Sequence, residues 1–178
     1  FIQKLHTEPE LEFYSMHIAC DQLRLEHDDE LIDKWINGKT GFPFLDACMK
    51  YLHKYGWINF RMRAMIMSFA SYNLWQPWQK TSPLLAQLFT DYEPGIHISQ
   101  VQMQSGVTGI NLPRIYSVSK QSHDHDPDAI WIKNILPQLS EVDPSLIHAS
   151  ELNDLYIPKI IDLKSSAKDA RERVWGIR

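Results

Sequence analysis

Two consecutive segments in the middle of the chain, 43–56 and 57–75, have apolar residues at helical spacing, and they constrain the fold most. In the first, apolar side chains occupy the i, i+3, i+4 and i+7 positions of one helix face: Leu45, Cys48, Met49 and Leu52. The second, from Trp57 to Trp75, is apolar nearly all round, which predicts a central, buried helix. Strand-like alternation is limited to residues 100–103. The sequence therefore predicts an all-α fold.

Capping patterns predict where other helices begin. Polar residues next to proline or acidic residues mark six further starts: Thr7-Glu8-Pro9-Glu10, Asp28-Asp29, Ser82-Pro83, Asp126-Pro127-Asp128, Asp143-Pro144 and Ser150-Glu151. Residues 91–125, in contrast, show no helical period. A stretch of about 35 residues without regular structure is uncommon in a compact domain and is often functional. We therefore expect a long irregular loop there.

Composition excludes several classes of protein. With 178 residues, 44% of them hydrophobic and 22% charged, the chain has the composition of one folded domain and not of a disordered segment. It has no run of about 18 apolar residues that would span a membrane, and no signal-peptide pattern at its start. Cys20 and Cys48 are too few for a disulfide scaffold. We expect a soluble, intracellular and cytoplasmic protein.

Charge is unevenly distributed along the chain. Residues 38–90 contain six lysines and arginines against one acid, Asp46, so their net charge is +5, whereas the whole chain carries −4. Such a segment could form an anion or phosphate site, although ordinary surface charge is the more frequent explanation. His123 and His125 flank Asp124 and could bind a metal, but such residues in a loop are more often solvated. We predict no metal site.

One part of the sequence resembles a known family. Residues 35–74, WINGKTGFPFLDACMKYLHKYGWINFRMRAMIMSFASYNL, are similar to the signature W-x-x-G-x-T-G-[FY]-P-x-x-D-A-x-M-x-x-L-x-x-x-G-W-x-x-x-R-x-R of the photolyase/cryptochrome flavoproteins and match every fixed position. The similarity continues downstream: Asp91-Tyr92-Glu93, Arg114-Ile115-Tyr116, Gln121, Asp126 and Leu136-Pro137-Gln138-Leu139. It covers roughly residues 30–140 in order. This many fixed positions identify the chain as a photolyase/cryptochrome family member.

The resemblance implies a multi-helix orthogonal bundle, the FAD-binding domain of that family. It also implies that residues 1–178 form one helical domain that is the C-terminal portion of a larger FAD-binding domain. An upstream α/β domain for an antenna chromophore, and the helices that bind the FAD phosphates, would lie outside these residues. The FAD site would then be incomplete, so we expect the chain alone to bind FAD weakly or not at all.

The resemblance also implies roles for particular residues. Arg63 would pair with Asp91 beside the N5 side of the flavin, and Asp91 and Glu93 would line the flavin ring and ribitol. His97 falls where the family places a residue that faces flavin N5. Burying an Arg–carboxylate pair costs several kcal/mol because both charges lose their water, so a role beside the flavin would explain why the pair is there. The alternative is a plain salt bridge between helices.

Further positions match the family's electron-transfer and DNA contacts. Trp78 matches the middle tryptophan of the photoreduction chain and could transfer electrons. Arg61 and Arg114 match positions near the DNA-binding surface and substrate pocket. Met103 stands where a tryptophan often stacks on the damaged pyrimidine, and Val101 where the tryptophan nearest the flavin would be.

Other departures concern the cofactor contact. Phe60 occupies the cofactor-binding position where most members have asparagine, so that polar contact is lost. Leu25 lies near the position of the distal tryptophan. The usual tryptophan chain is therefore predicted to be broken.

Three functions follow from the resemblance. The first is FAD-dependent, blue-light-driven repair of pyrimidine dimers in DNA, which would make damaged DNA and the upstream part of the polypeptide the partners. The second is a cryptochrome-like blue-light sensor without repair. The third is a helical scaffold that has lost flavin, against which the retention of Arg63, Asp91 and Glu93 counts. The sequence leaves open whether cyclobutane or (6-4) lesions, and single- or double-stranded DNA, would be bound.

Overall fold

The structure of the chain is a computed structural model that describes residues 2–110 and 113–176, and within these ranges it contains helices and no strands. The α-helices are α1 (Ile2–Thr7), α2 (Asp29–Ile36), α3 (Pro43–Tyr55), α4 (Phe60–Ser68), α5 (Trp78–Ala86), α6 (Pro94–Ser105), α7 (Val118–His125), α8 (Ile130–Ile135), α9 (Pro144–Ala149) and α10 (Leu163–Trp175). A π-helical turn at Phe69–Asn73 follows α4 directly. The all-α prediction is confirmed. No helix in the described ranges is long and apolar enough to cross a membrane.

Helices α3 and α4 form the centre of the core. The apolar face predicted for α3 is completely buried: Leu45, Cys48, Met49 and Leu52. Each such side chain contributes about 1.5–3 kcal/mol by leaving water. The indole of Trp35 in α2 donates to the carbonyl of Ile66 in α4 at 3.2 Å, which joins α2 to the same core. Gly56 ends α3 with a φ of 68°, a conformation that favours glycine.

The predicted helix 57–75 is shorter than expected. Asn59 caps α4, because its side chain accepts a hydrogen bond from the amide of Met62, and Trp57 lies outside the helix. The wider π-helical turn replaces the last α-helical residues. Trp75 then takes a φ of 57°, which stops the helix. Apolar pattern alone did not reveal either boundary.

The prediction of an irregular loop over 91–125 is wrong, because α6 and α7 lie within that range. Helix α6 shows no apolar period because it buries polar side chains: His97, Gln102, Gln104 and Ser105. Gln102 is satisfied inside the protein, where its amide donates to the carbonyls of Leu11 and Tyr14. The start and end of α6 follow ordinary signals, with Pro94 in its first turn and Gly106 as its C-cap.

Two other predicted starts are wrong. Ser82-Pro83 lies inside α5, which begins at Trp78 directly after Pro77. Ser150 ends α9 in the left-handed conformation instead of starting a helix. The next α-helix, α10, starts at Leu163, where the Asp162 side chain caps the amide of Ser165.

The remaining starts agree better with the sequence. Asp28 and Asp143 cap α2 and α9 as expected. Asp126 accepts from the amides of Trp131 and Ile132 and so fixes the start of α8. The pattern around Pro9 produces a 3-10 turn, Pro9–Glu12, and not an α-helix.

A buried carboxylate holds the beginning of α3 in place. Asp46 accepts hydrogen bonds from the amides of Thr40 and Gly41, the Thr40 hydroxyl and the hydroxyl of Tyr156. Gly41 has a φ of 83°, and a Cβ there would lie 2.5 Å from the carbonyl oxygen of Pro158. The segment 156–160 is thereby packed against the α2–α3 connection.

Candidate functional site

A cavity of about 270 Å³ lies between α4, α5, α6 and the connection from Phe89 to Glu93. We call it the flavin cavity because it is lined by the residues to which the family resemblance assigns cofactor contacts: Phe60, Arg63, Asp91, Glu93 and His97. Most of its wall is apolar or aromatic: Trp57, Ile58, Phe60, Ala64, Met67, Leu85, Phe89, Tyr92, Ile96 and Val101. Its polar members are few: Arg63, Asp91, Glu93, His97, Gln100 and Gln104. Small-molecule sites typically combine apolar walls with a few placed polar groups.

Arg63 and Asp91 form an ion pair in the cavity wall, as expected. The Arg63 Nη2 lies 2.9 Å from Asp91 Oδ2, and its Nε donates to the carbonyl of Ile58 at 2.6 Å. The guanidinium carbon is 4.3 Å from the centre of the Phe89 ring, which holds it from the other side. The expectation that this pair is buried is wrong, since the two side chains are 26% and 48% exposed. Water therefore reduces the desolvation cost that we assigned to it.

Glu93 has a structural task besides lining the cavity. Its side chain accepts a hydrogen bond of 2.7 Å from the amide of Ile96 and so caps α6. A carboxylate at a helix N-terminus is stabilised by the helix dipole. The position of Glu93 in the wall thus follows from the start of α6, directly after Asp91 and Tyr92.

His97 is buried in α6 and is held by α5. Its Nε2 lies 3.1 Å from the carbonyl oxygen of Ser82 and 2.9 Å from the Ser82 hydroxyl. Since a carbonyl can only accept, Nε2 bears the proton, and in the neutral ring Nδ1 is left as an acceptor. Burial lowers the pKa of His97, and the nearby Arg63 charge lowers it further against the opposing effect of the Ser82 carbonyl. At neutral pH the wall therefore presents a neutral imidazole.

The other cofactor position predicted from the sequence, Phe60, is 59% exposed at the edge of the cavity. Val101 is buried in the wall and brings no aromatic ring to it.

The sequence analysis did not identify Gln100 and Gln104 as lining residues. Helix α6 has no apolar period, so its sequence does not show which of its faces lines the cavity. The Oε1 of Gln100 is buried and has no hydrogen-bond partner in the described part of the chain. An N–H donor on a ring-shaped ligand would satisfy it.

The remaining predicted residues lie away from this cavity. Trp78 is buried and donates to the Ser15 hydroxyl at 3.0 Å, next to a neighbouring groove that Tyr92 and His97 also line. Arg61 and Arg114 are exposed, and Met103 is partly exposed on α6; none of the three lines the cavity.

The histidines considered for metal binding lie on the surface. His123 and His125 are both exposed in the last turn of α7. Within residues 2–110 and 113–176 no group of three or more metal-ligating side chains occurs.

The fold and the cavity define a helical cofactor-binding domain. Residues 1–176 match the family model described as the FAD binding domain of DNA photolyase. Because this match covers nearly the whole chain, the chain belongs to that family, which includes proteins named photolyase and cryptochrome. FAD is the cofactor that this domain family binds. The resemblance seen in the sequence is thereby confirmed.

Two relatives illustrate the range of names. A deoxyribodipyrimidine photo-lyase of Alkalihalophilus pseudofirmus is 29% identical over 151 residues, which cover 83% of this chain and 32% of the relative. A cryptochrome DASH of Gloeobacter violaceus is 28% identical over 137 residues, or 76% of this chain and 27% of the relative. The chain therefore spans about a third or less of the length of these relatives.

Solved structures share the fold. An archaeal photolyase from Sulfolobus tokodaii, described with two FAD molecules, superimposes with a TM-score of 0.90 at 24% identity, covering 97% of this chain and 41% of that one. A bacterial class III photolyase from Agrobacterium tumefaciens gives a TM-score of 0.87 at 22% identity, with 97% and 39% covered. At these identities the likeness shows the fold, a photolyase FAD-binding domain.

The residues present fit part of FAD. The cavity of about 270 Å³ is close to the lower end of the range of about 300–1,000 Å³ typical of drug-sized ligands, a size that suits a ring system. Its aromatic wall, the Arg63–Asp91 pair and the unsatisfied Gln100 oxygen suit a planar heterocycle with its own donors and acceptors.

Proposed function

We propose that this chain is part of an FAD-dependent enzyme that repairs pyrimidine dimers in DNA under blue light, a deoxyribodipyrimidine photolyase-like carbon–carbon lyase. The observation that carries the proposal is the Arg63–Asp91 pair in the wall of a mostly apolar cavity. When bound in its reduced form, FAD would supply an excited electron that opens the dimer and then returns to the flavin. The FAD phosphates would be held by residues outside this chain, as would any antenna chromophore.

The chain's own residues would bind and tune the flavin ring. Phe89, Ile58 and Val101 would enclose the ring and exclude water, which strengthens nearby electrostatic interactions. Arg63 and Asp91 would place a positive and a negative charge beside it, and their balance would set how readily the ring takes up an electron. Neutral His97 adds no charge to that balance.

The distribution of charge supports a DNA partner. The structure buries Asp46 completely, and this is the one acid within the +5 segment of residues 38–90. The basic side chains of the segment are largely exposed: Lys39, Lys50, Lys54, Arg61 and Lys80. Its surface charge is thus wholly positive, as expected for contact with phosphates.

A cryptochrome-like sensor without repair is the second candidate. Met103, which would have to stack on the damaged base, lies outside the wall of the flavin cavity. The relative named cryptochrome DASH also matches three quarters of the chain. A sensor needs the flavin site but not the pocket for damaged DNA.

One experiment separates the two candidates. The full-length protein is purified in dim light, its visible spectrum is recorded, and it is illuminated with blue light in the presence of an oligonucleotide that contains a pyrimidine dimer. We expect a flavin spectrum and light-dependent loss of the dimer, measured by chromatography. Flavin that is photoreduced while the dimer persists would support the sensor instead.

A further inference from the structure

A second cavity, of about 310 Å³, lies directly beside the flavin cavity. We call it the aromatic cavity. Its lining combines aromatic and polar residues: Phe44, Tyr51, Trp57, Ile58, Asn59, Met62, His125, Asp126 and Trp131. Trp57 and Ile58 line both cavities, so only the connection between α3 and α4 separates them. A ligand that occupies one cavity is therefore a neighbour of a ligand in the other.

Aromatic rings lead from the inside of this cavity to the protein surface. The Trp131 ring lies 6.0 Å from that of Phe44 and 5.6 Å from that of Tyr51, and the Tyr51 and Tyr55 rings are 4.4 Å apart. Trp57, which also lines this cavity, is 49% exposed. Large aromatic side chains that are only partly buried offer free faces on which a flat ligand can stack.

Three cations lie close to lining residues of the aromatic cavity: Lys50 and Arg61 directly precede Tyr51 and Met62 in the chain, and the Nζ of Lys54 lies 5.2 Å from the centre of the Tyr55 ring. Lys50 and Lys54 lie on the last turns of α3, Arg61 lies in the first turn of α4, and all three are exposed. None of them forms an ion pair within the described ranges 2–110 and 113–176. The acidic residue in the lining, Asp126, is buried and already accepts two amides of α8. Within the part of the chain that the structure describes, no ion pair therefore neutralises these three cations.

We propose that the aromatic cavity is a second base-binding subsite, which accepts an unpaired nucleobase of the same DNA strand whose damaged bases lie beside the bound flavin. The base would stack on the neighbouring rings of Trp131 and Tyr51, while the adjoining phosphates contact Lys54 and Arg61. Interleaved aromatic faces and cations are the usual means of holding single-stranded nucleic acid. The proposal rests on the DNA-binding part of the proposed function.

The subsite would tolerate different bases. Asn59 and Asp126, its polar members besides His125 and the Tyr51 hydroxyl, are engaged in capping α4 and α8. Stacking does not depend on base identity, because every base has a π face. The subsite would hold the DNA strand in an unstacked form, which lowers the free-energy cost of extruding the neighbouring base.

The test uses the full-length protein and a short single-stranded oligothymidylate that carries one 2-aminopurine, whose fluorescence is quenched by stacking. We expect saturable quenching with the wild type. Trp131→Leu and Tyr51→Leu should remove the quenching and weaken binding at least about five-fold, since one base–aromatic stack is lost. Lys54→Gln should weaken binding and lower the salt dependence by about 0.7, the value for one phosphate contact on a single strand. Lys168→Gln, an exposed lysine on α10, is the matched control and should change neither.

Unchanged quenching in both aromatic variants would overturn the proposal, as would a salt dependence that is equal for Lys54→Gln and Lys168→Gln. If Trp131→Leu does not fold, as judged by circular dichroism, Tyr51→Leu and Lys54→Gln carry the test. The assay needs neither light nor a dimer. Loss of quenching together with intact repair, or intact quenching without repair, therefore shows which of the two proposals has failed.

Discussion

Replacing Arg63 with methionine removes the polar contacts of the cavity wall while keeping most of the side chain's volume. The wild-type guanidinium donates from Nε to the Ile58 carbonyl at 2.6 Å and from Nη2 to Asp91 at 2.9 Å. It also packs on the Phe89 ring, a contact that the methionine stem and sulfur can replace in part. The variant therefore tests the two polar contacts.

The magnitude follows from their exposure. A hydrogen bond to a charged group contributes about 1.5–3 kcal/mol, and the lower end applies because Arg63 is 26% exposed. The ion pair adds at most about 1 kcal/mol at this exposure. We expect the free energy of unfolding to fall by about 2 kcal/mol, which lowers Tm by roughly 4–8 °C in a domain of this size.

The measurement is denaturant and thermal unfolding without flavin, with Arg61→Met as the matched control. Arg61 lies two residues away on the same helix, is exposed and has no ion pair in the described part of the chain. Its variant should stay within about 0.5 kcal/mol of the wild type. Equal stability of the two variants would refute the contribution that we assign to the contacts of Arg63 with Ile58 and Asp91.

Two further predictions concern buried groups. Asp46→Ala leaves the amides of Thr40 and Gly41 and the hydroxyl of Tyr156 without their acceptor. The free energy of unfolding, measured with denaturant, should therefore fall by about 3–5 kcal/mol. A fall of less than about 1 kcal/mol would contradict this hydrogen-bond network. Burial lowers the pKa of His97 below the value of 6.5 in the unfolded chain, so below that pH the unfolded state binds a proton that the folded state refuses. The free energy of unfolding should therefore fall as pH decreases through 6.5 toward the folded-state pKa. His97→Gln should reduce this fall when unfolding is measured between pH 7.5 and 5.5. If the variant and the wild type show the same pH profile, His97 is not held neutral.

The core was predictable where apolar spacing was regular. Helix α3 buries the face that its sequence indicates, with Pro43 and Gly56 near its ends. Helix α6 was missed because its buried face includes Gln102, whose side chain is satisfied by the carbonyls of Leu11 and Tyr14, far away in sequence. Local sequence cannot show such partners. The same holds for the π-helical turn after α4, which tertiary packing determines.

The candidate site could be predicted only through the family resemblance. Spacing alone gave no reason to join Arg63 to Asp91, which lie 28 residues apart and meet because α4 and the connection before α6 pack together. The partial exposure of the pair and the cap made by Glu93 required the structure. The flavin-binding roles of Arg63, Asp91, Glu93, His97 and Phe60 stay predictions.

The most direct test is the midpoint potential of bound FAD in the full-length wild type and in Asp91→Asn. If the Arg63–Asp91 pair lies beside the flavin ring, removing the negative charge leaves Arg63 uncompensated and favours the electron-rich, reduced flavin. We predict a more positive potential in the variant, with flavin still bound. An unchanged potential would mean that the pair is only a salt bridge between structural elements, and would contradict the placement of the flavin in this cavity.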